Sequence, residues 1–364
     1  MVVNKEQLQF LSDYVSISES TTAVGNKLQI ISKIGNKAIF VQKSLDATLI
    51  REIDCVTTSD FEILVEVKMF WNFINSVSKN EEIEITPDGF NIGQDKHYTF
   101  EMHNSEFFNV DEIMKIINDA KVEDTTFMFP FKDFNTLGIA YKYMGKDTLQ
   151  TIGFMKDKIL GTDRFQIVYG NASFNLTDNY FLSKPAVSLL IQHKDKQEIP
   201  IFLNGRFYFF EIEGTICIFE WKSYAIPDLF EAKPYSRFNQ KDFVKLNKEE
   251  FKSTLNRMSF FVTNNPSMRI FLTLKSNHIL IENRDFNKSF EKVYYTQGNQ
   301  NLEEITVIVN CKNLITFLEN MEKDSDEVFF FVNSDHSNRS TIRLEDSTSN
   351  FKFIHVLLKS EKIE

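Results

Sequence analysis

Three stretches of this chain repeat one order of apolar and polar positions. Lys68, Lys184 and Lys312 each open an amphipathic stretch, and an apolar pair follows each at the same offset: Phe73-Ile74, Leu189-Leu190 and Phe317-Leu318. Each stretch runs into a polar turn and then a Glu with a β-branched neighbour, Glu82-Ile83, Glu198-Ile199 and Glu327-Val328. The first two strands that follow reach a glycine turn at one offset, Asp88-Gly89 and Asn204-Gly205, and the third reaches Asn333-Ser334 there. A second pattern occurs twice: Asn4-Lys5-Glu6-Gln7-Leu8 returns as Asn247-Lys248-Glu249-Glu250-Phe251. A period of roughly 120 residues exceeds the roughly 20–50 of a solenoid repeat and matches a domain. The pattern therefore predicts one domain fold used three times, over residues 1–121, 122–238 and 239–364.

Each repeat reads as helix, strands, helix, strands. Asn4 is placed to cap a first helix, with Gln7 three residues on to close a capping box, and Leu8, Leu11, Tyr14 and Val15 follow at helical spacing. Asn247 and Glu250 take the same parts ahead of Phe251, Leu255 and Met258. The middle repeat opens its helix at Lys132-Asp133-Phe134 and continues through Leu137 and Tyr141, with Gly138 weakening it by about 1 kcal/mol relative to Ala. Short alternating runs lie between, such as Leu28–Ser32 and Lys37–Val41 around Gly35-Asn36, Arg269–Leu274 with His278–Ile281, and Phe207–Phe210 with Thr215–Phe219. Short strands with Gly, Asn and Asp turns predict antiparallel sheet. The expected class is α+β, each repeat holding two helices and two antiparallel sheets.

Composition narrows the class. The 364 residues are 42% apolar and 25% charged, a globular balance. The 37 phenylalanines read as a composition bias alongside abundant Asn, Lys and Ile. Cys55, Cys217 and Cys311 show no metal or redox spacing and are expected to be buried free thiols in a reducing compartment. The opening Met1-Val2-Val3-Asn4-Lys5-Glu6 turns polar at once, and no apolar run approaches the roughly 20 residues of a membrane span, so a cytoplasmic protein without a membrane partner is expected.

No Walker A loop, GxGxxG, HExxH or GxSxG is present, and no two of the six histidines stand four apart. Paired carboxylates such as Glu81-Glu82 sit in polar turns. Asp163 stands out among the carboxylates, yet has no histidine or metal partner in sequence. The expectation is a protein that is not an enzyme and takes no metal or cofactor. The basic residues carry more. Lys68 and Lys79, Lys132, Lys142 and Lys146, Lys184, Lys194 and Lys196, Lys248, Lys252 and Arg257, and Lys312 lie on or beside the six expected helices. If the helices of all three repeats face one channel, these cations line it and the acidic residues behind the net charge of −10 lie outside. Such a surface contacts phosphates without reading bases.

This layout resembles that of the bacterial-type sliding clamp, the β subunit of the replicative DNA polymerase, including its phage-encoded versions. Thr162-Asp163-Arg164-Phe165-Gln166-Ile167 is similar to a Thr-Asp-Gly-His-Arg-Leu-type segment, keeping Thr-Asp and the closing aliphatic. Ile226-Pro227-Asp228-Leu229 resembles the segment leading into the third domain, and Pro234 a proline after it. The family's Met-Pro-Met-Arg-like tail is replaced by Ile354-His355-Val356-Leu357-Leu358-Lys359. The resemblance implies a homodimeric ring around duplex DNA, a processivity factor without sequence specificity, served by a clamp loader and a replicative polymerase. It implies a partner-peptide pocket at Thr162, Arg164, Phe165, Ile167, Pro234, Val356 and Leu358, and a DNA contact at Lys27. The departures point to a diverged, phage-encoded clamp. The alternative is a three-domain protein-binding scaffold with no DNA in its channel; a hidden enzyme using Asp163 ranks below both.

Overall fold

The structure is a computed structural model and describes residues 1–19, 27–44, 47–93, 96–99, 107–122, 126–144, 151–163, 166–193, 198–204, 207–220, 243–263, 267–284, 288–298, 304–321, 325–332, 341–346 and 351–356. Its elements recur in one order: a strand, a helix, four strands, a second helix and three strands. The first repeat runs β1 (Val2–Asn4), α1 (Leu11–Glu19), β2 (Lys27–Lys33), β3 (Gly35–Lys43), β4 (Ala47–Thr57), β5 (Phe61–Glu66), α2 (Val67–Ser76), β6 (Glu82–Thr86), β7 (Gly89–Ile92) and β8 (Lys96–Tyr98). A connector helix follows, α3 (Val110–Val122). The middle repeat runs β9 (Thr126–Phe129), α4 (Phe134–Lys142), β10 (Thr151–Met155), β11 (Lys158–Thr162), β12 (Gln166–Asn171), β13 (Asn179–Ser183), α5 (Lys184–Gln192), β14 (Ile199–Asn204), β15 (Phe207–Ile212) and β16 (Thr215–Glu220). The last runs β17 (Phe243–Asn247), α6 (Lys248–Val262), β18 (Arg269–Leu274), β19 (His278–Asn283), β20 (Ser289–Gln297), β21 (Ile305–Asn310), α7 (Cys311–Asn320), β22 (Glu327–Val332), β23 (Thr341–Asp346) and β24 (Phe351–Val356).

The helix starts follow from capping chemistry. Asn4 and Gln7 form the reciprocal box: the Asn4 N–H donates to Gln7 Oε1 and the Gln7 N–H to Asn4 Oδ1, both at 2.9 Å. The box closes a single 3-10 turn, Glu6–Leu8, and the α-helix begins only at Leu11. The middle repeat likewise opens on a 3-10 turn, Phe131–Asp133. In α6 the cap leads straight into the α-helix, with Asn247 Oδ1 accepting from the Glu250 N–H at 2.9 Å. Phe251, Leu255, Met258 and Val262 then fall on one buried face. At α5 the Ser183 side chain does not cap; instead the Tyr208 hydroxyl accepts from the Ser183 N–H at 2.8 Å and donates to its Oγ at 3.1 Å.

The strand pairs among the described residues are antiparallel, and the pairing repeats as the sequence does. In each repeat the second, third and fourth strands form a meander, as do the last three; the first strand pairs with the sixth, as in β1·β6, β9·β14 and β17·β22. Two seams join successive repeats: β4 pairs with β16, from Thr215↔Arg51 to Phe219↔Ala47, and β12 pairs with β24, from Gln166↔His355 to Gly170↔Phe351. The fourth strand of one repeat thus meets the eighth strand of the next at both seams. The chain accordingly divides into two compact units, Met1–Phe134 with Leu182–Ser223, and Asn135–Phe181 with Tyr224–Glu364. Each is built around one seam and one twelve-stranded sheet order. In the second unit, α4 lies so close to β11 that a Cβ on Gly161 would stand 2.1 Å from the Ala140 carbonyl oxygen, which requires glycine there. The three cysteines are buried and free, as their spacing suggests.

Candidate functional site

The expected cations divide by position. Lys68, Lys184 and Lys312 stand in the first turns of α2, α5 and α7, at one place in three repeats. No acidic residue shares any of these turns. A cation there opposes the helix dipole, which favours negative charge at the N-terminus. Helix stability alone would not favour a lysine at this position. The first turn of α6 shows the ordinary choice, Glu249 and Glu250.

The other cations are placed individually. Lys79 follows α2, Lys132 lies in the 3-10 turn before α4, and both are exposed, as are Lys68 and Lys312. Lys27 opens β2, and Lys252 sits on α6, both half-buried. Lys142 closes α4 and donates to Asn320 Oδ1 on α7. Lys248 is only 5% exposed and offers little to a phosphate. Arg257 is engaged by Glu291 on β20, with Nε 2.9 Å from Oε1 and Nη2 2.6 Å from Oε2. That hydrogen bonding raises the guanidinium above its usual range and holds the Glu291 carboxyl below the ordinary carboxylate range. Lys146, Lys194 and Lys196 lie outside the described residues.

Three of the expected pocket residues take defined places. Thr162 ends β11 and Ile167 lies in β12, paired to each other across a four-residue loop, and both are buried. The Thr162 hydroxyl donates to the Gln166 carbonyl at 2.9 Å. Asp163, the carboxylate that stands out in sequence, closes this loop: Oδ1 accepts from the Gln166 N–H at 2.9 Å and Oδ2 from its side-chain amide at 2.8 Å. Val356 is the last residue of β24, opposite Thr341. Arg164, Phe165, Pro234 and Leu358 lie outside the described residues.

Sequence reading missed a third feature. Large apolar side chains stand exposed near two strand edges: Tyr98 on β8 with Phe107 beyond it, Phe290 and Tyr294 on β20, and Phe260 and Phe261 at the end of α6. Phe260 is 79% and Phe290 68% exposed. Among the described residues β8 pairs only with β7, and β20 offers an unpaired edge along Ser289–Tyr294, since β17 reaches only Tyr295 and Gln297. The signal was available in α6: Phe260 and Phe261 fall off the face set by Phe251, Leu255, Met258 and Val262.

Among the described residues no group of His, Cys, Asp and Glu is placed to hold a metal ion, and no helix is long and apolar enough to cross a membrane. No family model and no curated protein matches the sequence. Solved structures match over nearly the whole chain. A β sliding clamp of Caulobacter crescentus is 9% identical, covers 98% of both chains and gives a TM-score of 0.79. A DNA polymerase sliding clamp of Pseudomonas aeruginosa is 15% identical over 99% of both chains, with a TM-score of 0.76. The DNA polymerase III β subunit of Thermotoga maritima is 13% identical over 98% of both chains, with a TM-score of 0.75. The chain has the sliding-clamp fold, α+β with three repeats, as its sequence pattern predicts.

Proposed function

We propose that this chain is a DNA sliding clamp of the bacterial type, a non-catalytic processivity factor that closes as a head-to-tail homodimer around duplex DNA. Its domains are 1–121, 122–238 and 239–364, each one turn of the repeat. The observation that carries the reading is the pairing rule at the two seams. Fourth strand meets eighth strand at β4·β16 and again at β12·β24. Applied once more, the rule sets β20 of one chain against β8 of another. A head-to-tail contact of this kind generates a closed ring when the rotation closes, and two chains supply six repeats.

The helices support the same closure. At the first seam α1 meets α5, with Asp13 Oδ2 3.3 Å from His193 Nε2. At the second, α4 meets α7 through Lys142 and Asn320. The third instance would bring α6 against the partner's α2, and the exposed Phe260 and Phe261 lie at one end of α6. Aromatic side chains are the usual anchors of such an interface.

With the ring closed, the buried Lys248 and the Glu291-paired Arg257 do not face the DNA, while Lys68, Lys184 and Lys312, with Lys27, Lys79, Lys132, Lys142, Lys146, Lys194, Lys196 and Lys252, do. They contact phosphates, carry no base specificity and let the ring slide. A replicative polymerase and a clamp loader reach the ring through a peptide pocket at Thr162, Arg164, Phe165, Ile167, Pro234, Val356 and Leu358. Tethering raises the polymerase's effective concentration at the primer end. The diverged sequence suits a phage-encoded clamp working in a bacterial cytoplasm. Negative-stain electron microscopy of the purified protein tests the proposal. A six-lobed ring with an open centre is expected; a curved single chain at every concentration would contradict it.

A further inference from the structure

A cavity of about 250 Å³ lies on the first seam, beneath α3. Lys43, Thr48, Phe209 and Ile218 line it from the sheet, and Ile113 and Ile117 from the helix. Two of its lining residues, Lys43 and Thr48, stand at the strand positions that Thr162 and Ile167 of the expected partner pocket hold at the second seam. Lys43 pairs with Thr48 across a four-residue loop, and Thr48 with Ile218 on the eighth strand. Thr162 pairs with Ile167 across a four-residue loop, and Ile167 with Ile354 on the eighth strand. The two loops close alike. The Ser44 N–H donates to the Ala47 carbonyl at 2.8 Å and the Ala47 N–H to Ser44 Oγ at 3.1 Å. The Asp163 N–H donates to the Gln166 carbonyl at 3.3 Å and the Gln166 N–H to Asp163 Oδ1 at 2.9 Å.

The roof over the first cavity is held in place. Gln29, fully buried, accepts the Phe108 N–H at 2.6 Å and donates to its carbonyl at 3.2 Å, fixing the chain at the entry to α3. Asn109 then caps the helix by accepting the Glu112 N–H at 3.2 Å. The Lys43 ammonium lies 5.7 Å from the Phe108 ring centroid, on one lip of the cavity, and Glu112 is on the lining as well. Among the described residues Lys43 has no carboxylate partner.

We propose that this cavity is a second docking site for a short partner peptide, one with an apolar anchor of one or two side chains and a carboxylate beside it. A drug-sized ligand needs roughly 300–1,000 Å³, so the cavity suits a side chain or two rather than a whole small molecule. Lys43 takes the carboxylate. Glu112 repels a second one, which sets the direction of the peptide. The equivalence with the second seam rests on the partner pocket proposed there.

Full-length protein with methyl-labelled isoleucines is titrated with one probe, an acetylated, amidated tetrapeptide of two leucines, a phenylalanine and an aspartate. The methyl signals of Ile113, Ile117 and Ile218 are expected to shift saturably. Lys43→Glu, at an exposed position, is expected to weaken this binding by about fivefold, the size of an exposed ion pair. The same variant should regain affinity for a probe carrying lysine in place of aspartate. Shifts confined to Ile167 and Ile354 would overturn the first-seam site and leave the second-seam pocket standing. Shifts at neither seam would overturn both pockets. Equal binding of both probes by wild type and Lys43→Glu would overturn the carboxylate pairing.

Discussion

The seams inside the chain and the edges it leaves open are built from the same strands of the repeat, yet they are finished differently. At the first seam Leu49, Cys217 and Phe219 are buried, and the helices beside it meet through a carboxylate and an imidazole. At the open edges the corresponding strands, β8 and β20, carry exposed Tyr98, Phe290 and Tyr294. An unpaired strand edge is a template for association, and natural proteins usually blunt it with charge. Leaving aromatics there costs solubility unless a partner covers them. Among the described residues, the fourth strand of the repeat meets the eighth at two seams while β20 and β8 are left without that joint, which fits a chain whose third joint is made with a second copy.

Breaking the closed seam should have the largest effect. Leu49→Ala removes a fully buried side chain of β4 opposite Cys217, and should lower unfolding free energy by about 2–5 kcal/mol in denaturant titration. Phe290→Asp should do the reverse. It should weaken dimerisation by about 2–4 kcal/mol, the range of an interface anchor, while the unfolding midpoint of the monomer stays near that of wild type. Analytical ultracentrifugation and denaturant titration on the same preparation separate the two.

Exchanging Lys68, Lys184 and Lys312 together for Glu should leave both joints intact and weaken binding to a short duplex. For every phosphate no longer neutralised, the salt dependence should flatten by about 0.9 in slope. An unchanged slope would remove these lysines from the DNA-facing surface.

The smallest effect concerns Arg257, which ties α6 to the open edge at Glu291. The folded-state pKa of Glu291 is depressed, first by that side-chain hydrogen bond. Its contribution is therefore present above the ordinary carboxylate range and is lost as pH falls through the depressed value. Arg257→Ala should be slightly less stable than wild type at neutral pH, and the gap should close in acid. A gap that persists in acid would mean the guanidinium acts through packing instead.

Much of this was legible because the chain states its pattern more than once. The lysines and apolar pairs at Phe73-Ile74, Leu189-Leu190 and Phe317-Leu318 located the three second helices, and Asn247 located the cap of the last first helix, whereas Asn4 closes only a 3-10 turn ahead of α1. Helix α3 escaped for the opposite reason. It belongs to the connector after the first repeat, outside the repeated lysines and apolar pairs, although Asn109-Val110-Asp111-Glu112 carries its capping signature. The open edges escaped because periodicity marks an apolar residue without saying what covers it. Val293 and Phe290 lie on one strand, one buried and one exposed. Pairing between repeats was not legible, since β4 and β16 are joined by register over a separation no local pattern encodes.

The most telling measurement is sedimentation velocity of three proteins: wild type, a variant blocked at β8 (Tyr98→Glu) and a variant blocked at β20 (Phe290→Glu). Wild type is expected to sediment as two chains of 42.6 kDa each, both variants as monomers, and an equimolar mixture of the two as a weak dimer, because one of its two joints is whole. A dimer that survives the β8 change but not the β20 change would mean like edges pair with like, and a wild type that stays monomeric throughout would remove the ring.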